Sequence, residues 1–266
     1  MRFPSFNAES IPTPEDVIER PKISKKPETV EVIKGESTRP YEASPVIKYE
    51  ISHTHTVYEK PIGPDTKTCL IGDGQGMDTL EFLKIGVKPE NVSSVNYEQK
   101  EVQKANDKNL VGTGVEMKQG DATDSESLKR AGIELSSQDI VTLMHVLEVP
   151  DIKNEAEARL IKNLVDILKS DGELLVSQYK QKLTPVEAEH YGVEKIAAED
   201  MEKKFGPDWQ AEFKKEYGMD WENGMRYSEI SNIRPKEELE RLFSQYFDIK
   251  WTETQSEYIL KMKKRE

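Results

Sequence analysis

Three glycines at alternate positions, Gly72, Gly74 and Gly76, flank Asp73 and Gln75 directly after the apolar run Thr68–Ile71. Glycines there let the backbone turn sharply and approach a ligand closely, and a helix that follows presents free N–H groups at its start. Glu98, with Gln99 beside it, ends a second run, Val92–Tyr97, and lies 24 residues after Gly74. A carboxylate at that place can accept both hydroxyl protons of a ribose. Asp121 and Ala122 follow Gly120 after a third run, Val115–Gln119. The aspartate can accept from an adenine amino group while the next backbone N–H reaches a ring nitrogen. A fourth run, Asp139–Val146, brings Met144 and His145 to its end, with Glu148 just beyond. Each feature alone has a structural reading: a steric turn, an acid after a strand, an Asx turn or helix cap.

The elements needed to position these residues are legible. The four runs and a fifth, Leu174–Ser177, read as strands, and Ile140, Val141, Leu143 and Met144 form the continuous apolar run of a strand covered on both faces. Leu80, Phe82, Leu83 and Ile85 mark a helix after the glycines, and a polar helix covers about 99–109. Leu160, Ile161, Leu164, Ile167 and Leu168 mark an amphipathic helix closed by a turn at 170–172. Strands alternating with helices at this spacing predict a doubly wound, mostly parallel α/β sheet. The four candidate segments then share its carboxyl edge, where open α/β sheets bind ligands.

Two regions depart from this alternation. Nine of the fourteen prolines lie at or before Pro64, so residues 1–60 read as a proline-rich arm with a short helix at Pro14–Arg20 and a strand near 46–57. Between 179 and 233 a helical insertion is expected. It opens with a capping box at Thr184–Glu187 on a helix running to Gly206, and a second helix follows in which Trp209, Phe213 and Tyr217 recur every four residues. This insertion holds eight of the twenty aromatic residues, with eight basic and twelve acidic side chains. An acidic, aromatic lid over the sheet edge suits a small organic molecule better than a nucleic acid. Tyr179, Tyr191, Trp221 and Tyr227 are its candidate substrate-binding residues. The chain as a whole carries a net charge of −12, which repels phosphate backbones, and no apolar run is long enough to span a bilayer. The lone Cys69 and the apolar-poor N-terminus predict a cytoplasmic protein. His53 and His55 share a predicted strand face, but no cysteine or acidic ligand accompanies them, so no metal is expected.

Taken together, the segments resemble the class I S-adenosylmethionine-dependent methyltransferases over about residues 65–178. The glycine loop resembles the family's first motif, and Glu98 and Asp121 stand as its ribose and adenine contacts. The run from Asp139 to Glu148, with Leu168–Val176, is similar to the small-molecule branch. Gly72 occupies the place of the family's usual acid, with Asp73 after it, and Asp78 replaces its third glycine. A nicotinamide-binding pattern fits less well, since it needs glycine at Met77 or Thr79. The resemblance implies a Rossmann-like seven-stranded sheet with its last strand antiparallel. S-adenosylmethionine is then the cofactor, held by Gly72, Asp73, Gly74, Gln75, Gly76, Glu98, Gln99, Asp121, Ala122 and Met144. The reaction is in-line methyl transfer to oxygen or nitrogen of a small molecule, with His145 as the catalytic candidate. A protein or RNA methyltransferase and a catalytically inactive binding module are the alternatives. The arm is a candidate homodimer contact.

Overall fold

The computed structural model describes residues 44, 46–190, 193, 195–254 and 256–265. The arm before residue 44, including its expected helix and dimer contact, and Tyr191 lie outside the described residues. The apolar runs become β1 (Thr68–Ile71), β2 (Val92–Asn96), β3 (Lys118–Gln119), β4 (Gln138–Met144) and β5 (Leu168–Tyr179), each parallel to its neighbours within this group of five. β6 (Phe247–Glu253) and β7 (Glu257–Lys264) complete a seven-stranded sheet of order β3-β2-β1-β4-β5-β7-β6. β7 runs antiparallel to both β5 and β6, placing Glu257 opposite Tyr179. The carboxyl edge therefore carries the ends of β1 to β5 and the beginning of β7.

Crossover helices α1 (Met77–Lys84), α2 (Gln99–Lys104), α3 (Ser125–Arg130) and α4 (Asn154–Ile167) follow β1, β2, β3 and β4 in turn. The period of two along each strand sends alternate residues to two cores. Cys69, Ile71, Val141, Leu143, Leu174 and Val176 face a cluster with Leu160 and Leu164 of α4. Leu70, Ile140 and Leu175 face the other way, toward Phe82 of α1. The turn expected at 170–172 is a bulge within β5, because Leu168 already pairs with Gln138 and the register shifts before Ile140 meets Glu173. Among the described residues no helix is long and apolar enough to cross a membrane.

Residues 46–57 are not the strand their alternation suggests. They form helical turns at Val46–Ile51 and Ser52–Thr54, and His53 and His55 are exposed with no shared strand face. Ile47 and Ile51 are buried against the second core with Val57 and Ile62. Two apolar residues four apart satisfy a helical face as well as an alternating one, and packing onto a sheet already complete decides between them. The insertion also differs in detail. The Thr184–Glu187 capping box is present, but its helix divides into α5 (Pro185–His190) and α6 (Ala198–Phe205). α7 (Trp209–Tyr217) follows as expected, and α8 (Lys236–Phe243) returns the chain to β6.

Glu173 fixes the 46–62 segment to the sheet. Its buried carboxylate accepts the backbone N–H groups of Tyr58 (2.8 Å), Glu59 (2.9 Å) and Lys60 (2.7 Å). Replacing Glu173 with alanine strands three donors, so Glu173→Ala should lower unfolding free energy by about 3 kcal/mol or more, measurable by urea denaturation. An unchanged midpoint would show that the segment contributes little to the fold.

Candidate functional site

The glycine turn leaves β1 with Gly72, Gly74 and Gly76 at φ of 74°, 53° and 84°, all in the left-handed region. A side chain on Gly72 would also place its Cβ 2.3 Å from Val146 Cγ2, so packing as well as backbone conformation demands glycine there. The Asp73 carboxylate points inward rather than toward the crevice. It accepts from the N–H groups of Asp78 (3.0 Å) and Thr79 (3.2 Å), from Thr79 Oγ1 (2.5 Å) and from Ser94 Oγ (2.9 Å). With these four bonds its side chain is committed to the start of α1, and the residue offers a ligand only its backbone.

Asp78, in the first turn of α1, is buried and accepts the Ser44 N–H at 2.7 Å. Burial pushes its carboxyl up to about 8, with the Asp73 charge adding to the effect. Burial likewise raises Asp73 to about 6 against the lowering effect of its hydrogen bonds.

β2 ends at Asn96, two residues before the predicted ribose acid. Asn96 is buried, donates from Nδ2 to the Gly74 carbonyl (3.3 Å) and accepts the Glu98 N–H on Oδ1 (2.9 Å). Glu98 and Gln99 stand exposed where α2 begins. Asn96, a residue the sequence reading passed over, thus touches the glycine turn, as does Asn109, whose Nδ2 donates to the Gln75 carbonyl at 3.0 Å. The sign available for Asn96 was its place as a polar residue closing the run Val92–Asn96. Asp121 accepts from both the N–H and the Oγ1 of Thr123 at 2.8 Å, an Asx-type turn, and the carbonyl of the buried Ala122 accepts from Asn163 Nδ2 (2.9 Å). Asp121 also lines a cavity of about 490 Å³ together with Thr123, Ser125, Arg159 and Asn163.

His145 closes β4 in a left-handed conformation, φ 58°. Its Nδ1 lies 2.7 Å from Glu148 Oε1, which also accepts the Tyr179 N–H at 2.6 Å. The imidazole stacks on the Tyr179 ring with centroids 4.3 Å apart. Its Nε2 is 3.9 Å from Glu257 Oε2, across the first residue of β7. Burial alone would lower the imidazole's pKa, but Glu148, Glu257 and Asp78 together hold it above the ordinary histidine value. Met144, the residue before it, is buried and its sulfur accepts Ser177 Oγ at 3.4 Å. The adjacent strand ends therefore gather His145, Tyr179 and Glu148, with Glu257, which the sequence reading did not single out.

The insertion contributes unevenly. Trp221 packs edge-on against Trp209 with centroids 5.1 Å apart, inside a core of the insertion built on Phe213. Tyr227 is half-buried; burial raises its phenol pKa, and the neighbouring Asp200 and Glu98 add to the rise. That proximity brings the end of the insertion to the β2 edge. A buried arginine joins the end of the insertion to the His145 loop. Arg234 donates to the carbonyls of Leu147 and Ile152 and pairs with Glu157 at 2.5 Å, while Asn232 N–H donates to the Glu148 carbonyl at 2.8 Å.

Two of these features carry stability tests. Asp78 binds its proton more tightly folded than unfolded, so its contribution is present below about pH 4 and is lost as pH rises through about 8. Asp78→Asn should therefore raise Tm at pH 8.5 but not at pH 4, and a parallel shift at both would refute the burial argument. Arg234→Leu leaves Glu157 without its cation and should cost about 3–5 kcal/mol in chemical denaturation.

No family model matches the chain, and no curated protein does. Solved structures do match. An S-adenosylmethionine-dependent methyltransferase from Methanosarcina mazei is similar at 19% identity and TM-score 0.50, with 84% of this chain and 99% of that one covered. A structure described as converting a disulfide bond into a thioacetal group during echinomycin biosynthesis is similar at 13% identity and TM-score 0.54, with 86% of each chain covered. The CurJ carbon methyltransferase is similar at 11% identity and TM-score 0.51, over 78% of this chain and half of that one. At these identities the likeness is one of fold: the chain has the Rossmann-like fold of the class I S-adenosylmethionine-dependent methyltransferases.

Proposed function

We propose that this protein transfers a methyl group from S-adenosylmethionine to an oxygen or nitrogen of a small organic molecule. The observation that carries the reading is the convergence of the glycine turn, Asn96, Asp121 and His145 at neighbouring strand ends of one carboxyl edge. The residues fit such a cofactor. Three left-handed glycines present a turn free of side chains. Asn96 at the end of β2 and Glu98 just after it offer groups for ribose hydroxyls, and Asp121 and Ala122 after β3 offer groups for adenine. Bound there, the cofactor supplies an electrophilic sulfonium methyl.

The chain's own work is alignment, exclusion of water and proton transfer. Alignment of nucleophile and methyl can account for about 7–11 kcal/mol of a barrier in favourable cases. With Nδ1–H donated to Glu148, His145 keeps its lone pair on Nε2, the nitrogen of a proton acceptor. The insertion, tied down by Arg234 and Asn232, is the cover, and Tyr179 and Tyr227 are its nearest ligand contacts.

Saturation with S-adenosylhomocysteine at about 100 times its dissociation constant should stabilise the fold by about 2.7 kcal/mol. No thermal shift with it or S-adenosylmethionine, alongside a shift with a dinucleotide, would overturn the reading. Asn96→Ala and Asp121→Ala should each weaken the cofactor by about tenfold while the protein stays folded. Because His145 acts only when neutral, turnover should rise with pH through a midpoint above the ordinary histidine value of about 6.5. His145→Ala should abolish that limb; an unchanged profile would assign the proton transfer elsewhere.

A further inference from the structure

Glu257 is a carboxylate at this edge whose hydrogen bonding is incomplete. Its side chain is 9% exposed, and its Oε2 is buried without a hydrogen-bond partner among the described residues. The nearest cationic group is His145, whose Nε2 at 3.9 Å is too far for a hydrogen bond. By contrast, Glu148 Oε1 is doubly occupied, and Asp73 is saturated from within the fold. Buried carboxylate oxygens are normally paired, and leaving one unpaired is costly.

We infer that Glu257 Oε2 binds the ammonium group of the methyl acceptor, so that the substrate is an amine rather than an alcohol or a carboxylic acid. The inference rests on the methyl-transfer reading above and names its substrate class. An ammonium ion donating one N–H to Glu257 Oε2 completes that oxygen's hydrogen bonding. It also stands within reach of His145 Nε2, since the two atoms are only 3.9 Å apart. Glu148, 2.7 Å from the imidazole, adds a second carboxylate on the same side, which favours a cation and repels a carboxylate or phosphate. The step then balances. The ammonium gives one proton to His145 Nε2, and the freed nitrogen lone pair forms a bond to the methyl carbon. The carbon–sulfur bond breaks with its electron pair remaining on sulfur, which leaves a neutral thioether and a methylated ammonium product. The resulting imidazolium is stabilised by Glu148.

The test uses the full chain, calorimetry and two skeletons: benzylamine and butylamine, each compared with the alcohol and the carboxylate of the same skeleton. In the presence of S-adenosylhomocysteine, the amines should bind and the carboxylates should not. Glu257→Gln should weaken amine binding by about 10- to 100-fold while S-adenosylhomocysteine affinity stays within about twofold. The wild-type preference among the three head groups needs no variant, so it stands even if Glu257→Gln fails to fold. A preference for the alcohol or carboxylate overturns the assignment, as does absence of amine binding. Loss of S-adenosylhomocysteine affinity in Glu257→Gln also overturns it, by placing Glu257 at the cofactor. Failure of the wild type to bind S-adenosylhomocysteine is a different result: it removes the methyl-transfer reading, and amine binding alone would then support only a cation site at Glu257.

Discussion

The carboxylate of Asp73 gathers four hydrogen bonds in a space closed to solvent, and the course of the chain between β1 and α1 follows from them. Two of the donors are backbone N–H groups from the start of α1, which an α-helix cannot satisfy internally. A third is Ser94 on β2, so the same carboxylate joins turn, helix and neighbouring strand. Once the turn is held from beneath in this way, its upper surface is bare backbone. Gly74 lies beside Asn96, Gly72 packs on Val146, and the end of β4 is brought against the turn. Removing the charge from the crevice and placing it under the turn is what separates the structural acid from acids that can meet a ligand.

The price of this arrangement is electrostatic. Asp73 and Asp78 repel one another in a medium that screens poorly, and His145 is the nearest cationic group to Asp78. The histidine is in turn gripped by Glu148 and approached by Glu257, so its proton affinity reflects three acids from three elements. The site thus combines a stiff scaffold with a proton-binding group tuned by its surroundings. Arg234 and Asn232 extend the scaffold to the insertion, because the loop that orients His145 is bonded to the segment where the insertion ends.

Much of the architecture could be read from local pattern. The continuous apolar runs of buried strands, the alternation with amphipathic helices and the Thr184–Glu187 capping box each reflect physics within a few residues of chain. The 46–57 region could not be read this way, because Ile47 and Ile51 fit two periods and only the sheet beneath them selects one. Legibility of the site follows the same division. Gly72–Gly76, Asp121 and His145 were visible because turn chemistry and strand ends are local. The inward rotation of Asp73 depends on Ser94, a residue on a neighbouring strand. Asn96 rather than Glu98 meets the glycine turn because β2 stops earlier than its apolar run suggests. Glu257 reaches His145, more than 100 residues earlier in the chain, only through the pairing of β7 with β5, for which no local signal exists.

The left-handed backbone of His145 bears on how this chain can change over time. A non-glycine residue in that conformation costs roughly 1–2 kcal/mol, and glycine or asparagine relieves it. At this position, then, the replacements that make the fold more comfortable are the ones that delete the imidazole. Drift governed by stability alone runs downhill toward a chain that folds better and holds no proton acceptor. A histidine kept there marks a place where foldability and chemistry pull in opposite directions, and it gives a lineage that abandons the reaction an easy first step.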